Sequence, residues 1–86
     1  MAKVRSGKRT RKYYTFKFTV LDDYSEVFLN IGAFSVSQAK LLARKGRSAL
    51  NKTNFKNENY WPTKKPDNAP EKGPFVICED EILKIS

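Results

Sequence analysis

The residues able to do chemistry in this chain are cations, and they stand in two places. Residues 1–12 hold Lys3, Arg5, Lys8, Arg9, Arg11 and Lys12 without an acidic residue among them. A second acid-free stretch, Ser35 to Thr53, holds Lys40, Arg44, Lys45, Arg47 and Lys52. These stretches carry +11 of a net charge of +8, and the rest of the chain sets six Lys against nine Asp and Glu. Charge segregated in this way makes a directional field that a polyanion senses, and each phosphate neutralised by Lys or Arg releases a counterion. The pattern points to nucleic acid, with DNA and RNA, single and double strands, all open.

Other chemistry is poorly provided for. The chain has no His, which removes the commonest general base and the commonest metal ligand together. Asp67, Glu71 and Lys72 have the residue types of a metal-dependent nuclease but lie in a proline-rich stretch rather than on adjoining strands. Glu79-Asp80-Glu81 reads as a solvated turn. Cys78 sits in an apolar run and reads as a packing residue rather than a nucleophile. Neither catalysis, nor a metal, nor a cofactor is expected. A single cysteine allows no intrachain disulfide and fits a reducing, cytoplasmic setting. No apolar run approaches the length of a membrane span.

The elements that must position these cations follow from periodicity. Lys12 to Leu21 alternates, with Tyr14, Phe16, Phe18 and Val20 on one side and Tyr13, Thr15, Lys17 and Thr19 on the other, which predicts a half-buried strand. Asp22-Asp23-Tyr24-Ser25 predicts a turn. Alternation then resumes with Val27, Leu29, Ile31 and Ala33 inward, so the two strands form an antiparallel hairpin.

Ser35 and Gln38 have the spacing of a capping box, and a helix over 36–50 follows, with Gly46 either ending it early or lying inside it. On that helix Lys40, Arg44 and Arg47 form a basic stripe, while Leu41 points away from the apolar face. Residues 51–74, rich in Asn and with prolines at 62, 66, 70 and 74, read as one long loop pinned by Phe55, Tyr60 and Trp61. Phe75 to Cys78 reads as a third strand, and Ile82 to Ile85 as a possible last one.

The expected fold is therefore α+β: a small antiparallel-dominated sheet with one helix on one face, in the order β-β-α-loop-β. It occupies 12–86 as a single domain behind a disordered basic arm at 1–11. A right-handed crossover through the helix would place the third strand beside the first and antiparallel to it. Tyr13 and Phe28 share the polar face with Lys17, where they either stack bases or lie beneath the long loop.

Two functions remain in view. One is a non-catalytic nucleic-acid-binding protein that meets phosphates through the arm (Lys3, Arg5, Lys8, Arg9, Arg11, Lys12), through Lys17 and through the helix stripe. The other is a small protein-binding module docking on an acidic protein partner through Leu41, Tyr60, Trp61 and an open sheet edge, the arm serving as electrostatic steering. Monomer and dimer are both open.

Overall fold

The computed structural model describes residues 10–85, in the order β1 (Lys12–Val20), β2 (Glu26–Ala33), α1 (Val36–Ala49), β3 (Phe55–Pro62), β4 (Phe75–Cys78) and β5 (Glu81–Ile82). The strands make one antiparallel sheet in the order β3-β1-β2-β4-β5, and α1 packs on one face of it. Among the described residues no helix is long and apolar enough to cross a membrane.

The hairpin forms where alternation predicts it. Lys12 pairs with Ala33 and Thr19 with Glu26, which turns Tyr14, Phe16, Phe18 and Val20 toward α1 beside Leu29, Ile31 and Ala33. Phe16 and Phe18 are essentially fully buried, worth roughly 1.5–3 kcal/mol each relative to exposure. Asp23 builds the turn between the strands, its Oδ1 accepting from the Ser25 N–H at 3.0 Å and the Ser25 hydroxyl at 2.7 Å.

Helix α1 starts and stops on local chemistry. The Ser35 hydroxyl accepts from the Gln38 N–H at 3.1 Å, and Gln38 Oε1 reaches back one residue further than a capping box requires, to the Phe34 N–H at 2.8 Å. At the other end Asn51 adopts φ +58°, the Asn51 N–H donates to the Ser48 carbonyl, and the Lys52 N–H donates to the Arg47 carbonyl. This is a Schellman stop with Asn in the left-handed position. Gly46 lies inside the helix and is buried. A Cβ there would stand 3.1 Å from Val76 and 3.2 Å from Leu29, so the missing side chain lets α1 approach the sheet closely.

Three expectations are corrected. Residues 51–74 are not one loop, because Phe55–Pro62 forms β3, an edge strand along β1. Phe75–Cys78 does not lie beside β1; it pairs with β2, since the free edge of β1 is already occupied by β3. The first strand after the helix is β3, and it does lie beside β1 and antiparallel to it. The last strand is Glu81–Ile82 rather than 82–85. Glu79 (φ +51°) and Asp80 (φ +68°) form the two-residue turn before it, the left-handed pair that a tight hairpin demands.

Residues 63–74 carry the chain from β3 to β4 past two intervening strands. By register, Phe75 and Ile77 face away from α1 with Gly32 and Asn30, yet both are buried. The connecting segment supplies the cover: Asn68 donates to the Asp80 carbonyl at 3.1 Å, and the Pro70 and Gly73 carbonyls each accept from Arg11 at 2.7 Å.

Candidate nucleic-acid interface

The helix stripe divides into cations that are occupied and cations that are free. Arg47 is buried: its guanidinium pairs with Glu58 of β3 and lies over the Phe55 ring at 4.0 Å and the Phe18 ring at 5.6 Å. It holds β3 against α1 and does not face solvent with its stripe-mates, because a one-residue register shift near Asn57 (φ +58°) brings Glu58 beneath it. Lys40, exposed, stands over the Tyr60 ring at 5.5 Å, and Tyr60 in turn stacks on Phe16. Arg44 lies exposed between them on the flank where α1 meets β3.

Among the described residues only two ion pairs form, Arg47 with Glu58 and Lys17 with Glu26 at 3.1 Å. Lys40, Arg44 and Lys45 are therefore without a carboxylate partner, and the one acid brought to this flank is already engaged by Arg47. Four of the nine acids stand in two turns. Asp22 and Asp23 stand in the β1–β2 turn, and Glu79 and Asp80 in the β4–β5 turn. A cleft of about 460 Å³ between the two turns is lined by Ser25, Glu26, Phe28, Lys52, Glu79 and Asp80.

Arg11 is not part of a loose arm. It donates to the Tyr13 hydroxyl at 3.2 Å and to the two loop carbonyls, and it lies over the Tyr13 and Phe75 rings at 5.4 and 5.0 Å. It staples the 63–74 segment to the start of β1. Lys12 is exposed at that same end. Lys3, Arg5, Lys8 and Arg9 lie outside the described residues.

The aromatic candidates separate onto both faces. Tyr13 is half-buried against Phe75. Tyr60 faces α1. Trp61 pairs with Thr15, and Phe28 with Lys17, so both stand on the face opposite α1, where they are 38% and 46% exposed. The connecting segment therefore covers Tyr13 but leaves Phe28 in solvent. Leu41 is exposed on the outer side of α1.

Sequence reasoning missed Lys56, which pairs with Thr19 on this open face and lies over the Tyr24 ring at 5.5 Å. Its signal is hidden because the sequence of β3 lacks clean alternation. Partial burial pushes the Cys78 thiol up, with Glu79 adding to the shift, which suits a packing residue and not a nucleophile. No protein-family model, curated protein or solved structure matches this chain.

Proposed function

We propose that this protein binds nucleic acid without catalysis, meeting phosphates through the α1 flank at Lys40 and Arg44, with Lys12 and the basic residues Lys3, Arg5, Lys8 and Arg9 adding to the charge. Lys45 is half-buried on the opposite side of α1, by Lys84 and Ile85. The observation that carries this reading is the pair of exposed helix cations, Lys40 and Arg44, that form no ion pair with any described carboxylate. Ordinary solvated helices mix both signs for i,i+4 support, and α1 carries no acid at all. Arg11 and Arg47 drop out of the contact set because the fold uses both internally. The lone Cys78 suits action in a reducing, intracellular compartment.

The test is fluorescence anisotropy with labelled duplex DNA, single-stranded DNA and structured RNA across a salt series. The expected result is a steep log–log dependence on salt for at least one species. The double change Lys40→Ala with Arg44→Ala should lower the slope by about two. Weak binding to all three alike that vanishes by physiological salt, with an unchanged slope in the double variant, rejects the proposal. A pull-down for an acidic protein partner then becomes the next step.

A further inference from the structure

The sheet face opposite α1 is an organised surface. Its register sets Trp61, Thr15, Asn30, Ile77 and Ile82 in one row and Asn59, Lys17 and Phe28 in the next. The 63–74 segment ties down the corner at Tyr13 and Phe75, and on the rest of this face Thr15 is buried, Lys17 half-buried, and Asn59, Trp61 and Phe28 exposed. Two large rings, Phe28 and Trp61, therefore stand in solvent on one nearly flat face. Two inter-strand spacings and two residues of rise separate them, about 12 Å. Polar groups fill the space between: the Thr15 hydroxyl donating to Asn30 Oδ1 at 2.9 Å, Asn59, and Lys17.

Resting on the nucleic-acid reading above, we infer that this face binds a single strand, with Phe28 and Trp61 each stacking on a base, Lys17 meeting the phosphates between them and Lys56, one register row further on, meeting the next. Charge selects the occupant. Glu79 and Asp80 line a cleft with Phe28, so the cationic part of this face is along β1 and β3. On the β1–β2 strands Glu26 is matched by Lys17 in a pair whose two side chains are 52% and 35% exposed. Water screens such a pair strongly, so Lys17 can exchange it for a phosphate at small cost. Lys56 adds a second cation with no carboxylate within 4 Å.

Shape selects further. Rings 12 Å apart with polar groups between them give no contiguous apolar patch of the kind that forms the core of a protein interface. They do match bases held apart on an extended strand, since every base offers a π-face. A duplex keeps its bases stacked inside, out of reach of side chains on a flat sheet.

Trp61 is the single tryptophan of the chain, so its emission reports this face directly. The full chain would be titrated with an oligothymidine strand and, separately, with a duplex of equal length. Stacking predicts quenching by the single strand and little by the duplex. Phe28→Ala should weaken single-strand binding about 5- to 100-fold while leaving duplex affinity within about twofold. Phe28→Tyr should restore single-strand binding, because it returns a ring. Circular dichroism matching the parent would show that each variant is folded. Equal binding of both forms, unquenched and indifferent to Phe28→Ala, overturns the stacking face and leaves the phosphate reading intact. Failure to bind either form removes both.

Discussion

Arg44 and Arg47 lie three residues apart on one helix stripe, and their replacement should produce opposite phenotypes. Arg47→Ala removes three things. The guanidinium over Phe55 and Phe18, in a site where the arginine side chain is only 10% exposed, is worth about 1–2 kcal/mol. The buried stem contributes roughly 1 kcal/mol of packing. The ion pair adds less than a fully buried one, because Glu58 is 31% exposed and rehydrates once abandoned; about 0.5–1 kcal/mol is reasonable. The total is about 3 kcal/mol, which for a domain of this size lowers the thermal midpoint by about 15 °C or somewhat more.

Arg47→Met, which keeps an apolar stem, should recover about half of that loss. Arg44→Ala, exposed and unpaired, should change stability by no more than about 0.5 kcal/mol. It should also reduce the salt slope of nucleic-acid binding by about one, while folded Arg47→Met keeps the parental slope. Urea or thermal unfolding, paired with anisotropy across salt, measures both axes. If Arg47→Ala costs under 1 kcal/mol and flattens the salt slope, Arg47 faces phosphates and the clamp assigned to it is wrong.

Two further outcomes follow from local geometry. A Cβ on Gly32 would lie 2.2 Å from the buried Phe75 ring, so Gly32→Ala should displace that ring, loosen the Arg11 staple and cost about 3 kcal/mol in urea unfolding; an unchanged midpoint would refute the packing. The Asp23 carboxyl is held below its ordinary value of 3.8, first by the Ser25 hydroxyl and then by the Ser25 N–H. Its contribution to stability is therefore present above the unfolded value and lost as pH falls through the folded one. Ser25→Ala should move its NMR titration back up, and an unmoved titration would deny that role to the hydroxyl.

The hairpin, the helix and its start were legible because each rests on nearest-neighbour chemistry: period-two alternation at Tyr14 to Val20, and Ser35 three residues before Gln38. β3 was not legible. Phe-Lys-Asn-Glu-Asn-Tyr-Trp-Pro has no clean alternation, since the shift at Asn57 breaks the period, and an edge strand exposed along most of its length needs little apolar content. The missed strand also misplaced β4. A right-handed crossover through α1 places the next strand beside β1, and that strand is β3 rather than β4. For the site, the sequence revealed where cations lie but not which are already held, because Glu58 stands eleven residues beyond Arg47 and the carbonyls that hold Arg11 stand about sixty residues away.

The two occupied arginines share a design. Arg11 lies over Tyr13 and Phe75, and Arg47 over Phe18 and Phe55, and each ties a segment of low apolar content to the sheet. A domain this small has little core with which to hold a polar edge strand or a proline-rich crossing. A planar guanidinium is suited to the task, since it stacks on rings and still directs N–H groups in its plane toward carbonyls or a carboxylate; an ammonium cannot do both. Lysine, by contrast, is left toward solvent at Lys12, Lys40 and Lys56. Under the proposed function, stapling and phosphate contact draw on the same positive charge, and net charge alone overstates the number of phosphates the fold would meet. Under that proposal the cations that count are those not held as buried staples, and on α1 Arg44, exposed and with neither a ring nor a carboxylate partner, satisfies that condition most fully.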